Sequence, residues 1–179
     1  MKTKKKVVLR TLDKNYIIIK CFSRNEYRKS FLNKYVNFVK KNKYISYKPK
    51  NYLEQIIYLK NINKSKDKII FLLEFNKKFV GTIGIHKVKK NIMLGILIFE
   101  KKIKNKGYSK YFLYGCIKFV KHLYGNNNYF AGIKKNNFKS INLFKSLGFK
   151  VKVKYQKNYL FYLNYKTIKI PKFIDVFSI

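Results

Sequence analysis

From Ile69 to Phe99 the sequence reads "IIFLLEF", "NKK", "FVGTIGIHKV", "KKN" and "IMLGILIF", three apolar runs of strand length separated by short polar turns. Runs joined this tightly leave no room for a crossover, so the spacing predicts an antiparallel meander of three strands on which the rest of the chain must pack. Gly81, Gly84 and Gly95 fall inside the runs. A missing side chain weakens a strand unless a bulge or another backbone needs the room. Because Gly95 lies four residues before the third run ends at Phe99, close approach by another backbone is the reason expected there.

On either side of the meander the period changes. Lys6 to Leu12 alternates loosely and suits a first strand. Arg24 to Lys41 carries Tyr27, Phe31, Leu32, Tyr35, Phe38 and Val39 at spacings of three and four, which predicts an amphipathic helix. A second helix is expected from Asn51 to about Asn61, after the breaker Pro49. Gly107 to Tyr124 returns to helical spacing, with Gly125 placed as its C-cap. Tyr129 to Ile133 reads as a strand, Phe138 to Leu147 as a short helix, and Phe149 to Val153 with Tyr159 to Tyr165 as a closing hairpin. The order is strand, two helices, three strands, helix, strand, helix and two strands, which fits only a mixed α/β class. At 179 residues and 47% hydrophobic the chain suffices for one full-sized core. Residues 1–166 are read as a single domain and 167–179 as a C-terminal tail.

Lys and Arg number 43 against 7 Asp and Glu, a formal charge of 43 − 7 = +36. Such a surface attracts polyanions. A lysine-favouring coding bias accounts for the abundance of lysine but leaves the shortage of glutamate unexplained. Cys21 and Cys116 sit in apolar-periodic segments rather than at metal-ligand spacing, so both read as buried thiols and no metal is expected. No segment approaches the roughly 20 apolar residues that span a bilayer. The expectation is a soluble, cytoplasmic protein without a membrane partner; the sequence assigns no oligomeric state.

"IMLGILIF", the lysine-rich loop and the helix after it form a strand, loop and helix in which the first helical N–H groups lack intrahelical partners, the makings of an anion site. Gly107 permits a conformation and an approach that a side chain would obstruct, while Lys104 and Lys106 add charge. A pyrophosphate suits it. Taken alone, one glycine among lysines also fits a plain surface turn.

The wider context carries a resemblance. "LGILIFEKKIKNKGYS" is similar to the cofactor motif of the GCN5-related N-acetyltransferase (GNAT) superfamily, especially its RimJ/RimL-like branch, where a strand leads into an Arg/Gln-x-x-Gly-x-Gly/Ala loop. Lys104 and Ser109 replace the first and last positions and Gly107 keeps the family residue. Lysine still supplies charge, and serine is small and able to cap the helix. "YFAGIKKNNFKSINLFKSLGFK" resembles the family's strand followed by Asn-x-x-Ser-Ile-x-x-Phe/Tyr-x-x-x-Gly-Phe, with Asn137, Ser140, Ile141, Phe144, Gly148 and Phe149 in register. "FLNKYVNFV" looks like the branch's substrate-side helix, and the likeness spans roughly Val7 to Tyr165.

That resemblance implies a mixed, strongly twisted sheet flanked by helices, with central strands splayed around acetyl-coenzyme A. It implies that the amides of Leu97, Ile98 and Phe99 pair with the pantetheine arm. Lys104, Asn105, Lys106, Gly107, Tyr108 and Ser109 would take the pyrophosphate, and Asn137 and Phe144 would line the other side. Many relatives protonate the leaving thiolate with a tyrosine where this chain has Phe144, which cannot donate; Tyr108 or water is the substitute. His86 is the candidate general base, since imidazoles exchange protons near neutrality, although a lone histidine on a strand also fits a structural role. His122 reads as surface, and Glu100 as a salt-bridge partner of neighbouring lysines. The acceptor would be gripped by the first helical region, with Asn33, Tyr35 and Asn37 as candidates.

The functional expectation is transfer of an acetyl group from acetyl-CoA to a primary amine. A nucleotide-linked amino sugar is favoured because a +36 chain repels polyamines and attracts an anionic carrier. A protein α-amine, as in ribosomal-protein-type acetylation, is the alternative acceptor. From a different class comes a non-catalytic nucleic-acid-binding module, suggested by "KYISYKPKNY" and "KYQKNYLFYLNYK", in which aromatics alternate with lysines. Tyr and Phe at strand or helix spacing are equally core residues, and no RNP, KH or zinc-finger pattern is present.

Overall fold

A computed structural model of the chain describes residues 6–10, 16–21, 29–45, 47–100, 103 and 107–171. In chain order these form β1 (Lys6–Arg10), β2 (Tyr16–Cys21), α1 (Lys29–Lys41), α2 (Tyr52–Lys64), β3 (Lys68–Phe75), β4 (Lys78–Val88) and β5 (Asn91–Ile98). They continue as α3 (Tyr108–Tyr124), β6 (Asn128–Lys134), α4 (Phe138–Ser146), β7 (Lys150–Lys154) and β8 (Asn158–Leu163). The strands make one sheet in the order β1-β2-β3-β4-β5-β6-β8-β7. All neighbouring pairs are antiparallel except β5 and β6. The α/β class and the meander are as the sequence predicts, and the hairpins close on two residues: Phe75 pairs Lys78, and Val88 pairs Asn91.

One strand is additional to the sequence reading. "YIIIKC" forms β2 between β1 and β3, with Ile19 opposite both Val7 and Leu73. Its unbroken apolar run lacks the alternation that marks a half-exposed strand, and Ile19 is buried. The α2 helix also runs further than expected, to Lys64, and begins where Asn51 Oδ1 accepts the Glu54 N–H at 2.9 Å. Of the first predicted helix, residues 24–28 lie outside the described residues.

The sheet separates two apolar layers. On one side Phe71, Ile83, Ile85, Ile92 and Leu94 meet Phe112, Cys116 and Phe119 of α3, and Ile141 and Phe144 of α4. On the other, Leu32 of α1 and Leu59 of α2 close over Leu72 and Phe99. Cys116 is a buried thiol; the Cys21 side chain lies outside the described residues. Ile168 and Ile170 pack against the α3 side of the core, so part of the segment read as a tail belongs to the folded unit, whereas 172–179 lie outside the described residues. Among the described residues no helix is long and apolar enough to cross a membrane.

Candidate functional site

β5 and β6 separate soon after they meet. Their parallel ladder runs only from Asn91 and Asn128 to Met93 and Phe130, yet β5 continues to Ile98 and β6 to Lys134. The resulting split in mid-sheet is the splay expected from the sequence. The Asn128 N–H donates to the Lys90 carbonyl at 3.0 Å, and the Phe99 N–H to the Val80 carbonyl at 3.0 Å. Because backbone groups of a strand alternate direction, these two bonds fix the rest: Leu97 and Phe99 turn their N–H groups to β4, while Ile96 and Ile98 face the split. Of the three amides assigned to the pantetheine arm, therefore, Ile98 is the one so directed. Leu97 and Phe99 depart from the expectation because the β4 ladder claims theirs.

The glycines divide similarly. A Cβ on Gly81 would run into the Leu97 carbonyl oxygen and stand 3.2 Å from Ile98 Cα, so the close backbone approach belongs to Gly81 rather than Gly95. Gly84 and Gly95 lie opposite one another across β4 and β5, and a Cβ on either meets nothing within 4 Å. They form a bare floor on the α1/α2 side of the sheet.

Beyond β5 the chain reaches Gly107 at φ 78° and ψ −13°, the N-cap of α3. That left-handed conformation favours glycine, and no side chain caps this helix. Ser109 sits inside the first turn, half-buried, and so does not cap it as anticipated. The space where a Gly107 Cβ would lie is clear of protein atoms within 4 Å. Lys104, Asn105 and Lys106 lie outside the described residues. Across the split Asn137 caps α4, its Oδ1 accepting the Ser140 N–H at 3.3 Å. Phe144 is 3% exposed and meets Phe149 edge-on at 5.0 Å, so it packs in the core beneath α4.

Tyr108, named for proton donation, is buried with its ring 4.6 Å from Phe75, turned towards β3 and away from the split. His86 is exposed on β4 beside Met93, on the same side of the sheet as the glycine floor. Asn33 and Asn37 are exposed on α1, whereas Tyr35 points inward. Its ring meets Phe99 edge-on at 6.4 Å and its hydroxyl bonds to Thr82, whose strand partner is Leu97. Burial above all, with Tyr58 and Tyr47 nearby, pushes the Tyr35 hydroxyl up to about 12. Helical spacing identified Tyr35 but gave no sign of Tyr47 and Tyr58, which stack at 5.1 Å beside it. Glu100 pairs with Lys34 Nζ at 3.1 Å, the salt bridge expected of it, and His122 is exposed. The α1–α2 connection reaches over the far end of the split: the Tyr44 hydroxyl donates to the Asn136 carbonyl at 3.1 Å, and Lys134 Nζ to the Lys43 carbonyl at 2.8 Å.

The site is thus a slot in a sheet, with strand backbone on one wall, a glycine-started helix at one end and an aromatic helix pair over one mouth. The sequence profile of the acetyltransferase (GNAT) domain matches residues 6–150. A search of curated protein sequences finds no significant match. Among solved structures, a domain from Methanocaldococcus jannaschii DSM 2661 superposes with a TM-score of 0.69 at 24% identity, covering 84% of this chain and 99% of that one. The Campylobacter jejuni N-acetyltransferase PseH gives 0.61 at 21%, covering 83% and 97%. The Vibrio cholerae spermidine N-acetyltransferase in complex with CoA and spermine gives 0.67 at 14%, covering 84% and 96%. The profile covers most of the chain and the split sheet has the family's architecture: the protein belongs to the acetyltransferase (GNAT) family and is an acetyl-CoA-dependent N-acetyltransferase.

Proposed function

We propose that the protein acetylates the amine of a nucleotide-linked amino sugar, holding acetyl-CoA in the split between β5 and β6. The observation that carries the donor site is the alignment of the split with the α3 N-terminus. Backbone groups of Ile96 and Ile98 face the gap, and Gly107 opens the helix without a side chain. Residues here fit a diphosphate on an extended arm: the clear space at Gly107 admits close approach, and the α3 N-terminus with Lys104, Asn105, Lys106 and Ser109 supplies donors and charge. Asn137 lines the opposite side.

Acetyl-CoA supplies an activated acyl group. The protein's part is to bring a neutral amine to it, to stabilise the oxyanion that develops, and to return a proton to the departing sulfur. His86, exposed beside the glycine floor, takes the proton from the amine, directly or through water. With Phe144 in the core and Tyr108 turned away, water or the Tyr35 hydroxyl supplies the proton to sulfur. A chain of +36 disfavours a polycationic acceptor and favours one carried on an anion. Thiol release should be measured with acetyl-CoA against nucleotide-linked amino sugars, polyamines and N-terminal peptides. Turnover on the sugars supports the reading, and turnover confined to peptides or polyamines overturns the acceptor.

A further inference from the structure

Strand register lines up one row of side chains across the α1/α2 side of the sheet. His86 stands opposite Met93, Met93 beside Phe130, Phe130 opposite Tyr162, and Tyr162 opposite Lys150. With strands about 4.8 Å apart, the row is roughly 19 Å long. Helices α1 and α2 pack over Ile70, Leu72 and Phe99. Further along the same side, over β6, β8 and β7, Phe130 and Tyr162 are half-buried while Gly132, Lys150 and Lys152 are exposed. The Phe130 and Tyr162 rings are 5.1 Å apart and tilted by 50°. Lys152 Nζ lies 5.2 Å from one centroid and 5.1 Å from the other. The Tyr162 hydroxyl and Asn128 Oδ1 are 3.3 Å apart, which holds the ring.

Two accessible rings under an ammonium form a seat with a π surface and a positive charge. Its surroundings decide the occupant. Lys150 closes the same row, Lys152 lies over both rings, and β6, β7 and β8 carry no carboxylate. A nucleobase stacks on aromatic rings whatever its sequence, and the phosphates it carries answer the lysines. Met93 stands between this seat and His86, and alongside that row, two residues further on each strand, run Gly84, Gly95 and, across the split, Gly132, none of which has room-filling neighbours within 4 Å of a Cβ position.

We propose that Phe130, Tyr162 and Lys152 seat the nucleoside diphosphate portion of the acceptor, which lays its sugar amine over the Gly84–Gly95 floor beside His86. This rests on the acceptor reading above and adds where specificity for the carrier resides. The test is calorimetry on the full chain saturated with CoA, using uridine, thymidine and adenosine diphosphates and inorganic pyrophosphate as probes. At least one nucleotide should bind tenfold or more tighter than pyrophosphate. Phe130→Ala should weaken it about 5- to 150-fold, the range for loss of one stacked base. Lys152→Glu, a surface change, should weaken nucleotide and pyrophosphate alike, and both variants should raise the acceptor KM with little change in kcat. Nucleotides binding no better than pyrophosphate, or bound by both variants as by the wild type, overturn the seat. So does a single-stranded RNA that binds the CoA-saturated protein and is not displaced by any nucleoside diphosphate. Turnover of nucleotide-linked sugars with unaltered KM in both variants refutes the seat and leaves the acceptor reading standing. Nucleotide binding as predicted with turnover confined to peptides upholds the seat and refutes the acceptor.

Discussion

Replacing Gly81 by alanine tests whether β4 and β5 are held as closely as the site requires. The added methyl would overlap the Leu97 carbonyl oxygen and stand 2.9 Å from Ile98 Cδ1 and 3.2 Å from Ile98 Cα. Cδ1 can rotate away, but the other two atoms are backbone, so relief requires β5 to move where it borders the split. Extra carbon in a packed interior costs about 1–3 kcal/mol, and a clash with main chain belongs in the upper half, about 2–3 kcal/mol. For a domain of this size that lowers Tm by roughly 4–12 °C. Gly84→Ala and Gly95→Ala are controls: both positions are open, so neither should lose stability, and each stands to gain a few tenths of a kcal/mol. Urea and thermal unfolding of the three variants, followed by CoA titration of whatever remains folded, provide the readouts. Gly81→Ala with wild-type stability would refute the reasoning, and so would unchanged CoA affinity in a destabilised Gly81→Ala, because the proposed donor site has the coenzyme's arm pair with Ile98.

Three further outcomes are expected. His86→Ala should lower turnover and alter the acid limb of the pH–rate profile, where a general base must lose its own proton to act; an unaltered pH–rate profile removes His86 from proton transfer. Tyr35 is pushed up to about 12 by burial, so between pH 10 and 12 the unfolded chain has lost a proton that the folded chain keeps, and stability falls as pH rises through that window. The loss is roughly 2–3 kcal/mol and absent in Tyr35→Phe, so urea unfolding of the two proteins at pH 9.5 and 11.5 should diverge; parallel pH dependences would contradict the burial of this hydroxyl. Asn137→Ala should cost about 1 kcal/mol through loss of the α4 cap, and a chemical-denaturation midpoint that does not move would show the 3.3 Å bond to Ser140 to be idle.

Much of the fold was legible because most elements are half-exposed. The meander shows as apolar runs parted by short polar turns, α3 and the Asn137 helix show the period of one buried face, and Gly107 and Gly125 mark the ends of α3 by conformations that other residues avoid. β2 escaped because its unbroken apolar run, Ile17 to Ile19, has no alternation to read. The site was legible where it depends on local chain order, as at the strand, glycine and helix. It was not legible where it depends on which way a group points. That Leu97 and Phe99 bond to β4 while Ile98 faces the split follows from register, and register is set by partners far away in sequence. Tyr108 and Phe144 were similarly ambiguous, since a helical aromatic next to a cleft can face the cleft or the core, and here both face the core. The Phe130–Tyr162 pair joins residues 32 positions apart through an antiparallel register that no local pattern reveals.

CoA affinity at Gly107 bears most directly on where the coenzyme sits. Calorimetric titration of the wild type should give one CoA per chain. Gly107→Glu, which places a carboxylate where the diphosphate is expected, should weaken binding by about 100-fold or more while circular dichroism remains native, since like charges brought together cost several kcal/mol. A folded Gly107→Glu protein that binds CoA as tightly as the wild type would contradict the placement of the coenzyme between β5, β6 and the α3 N-terminus.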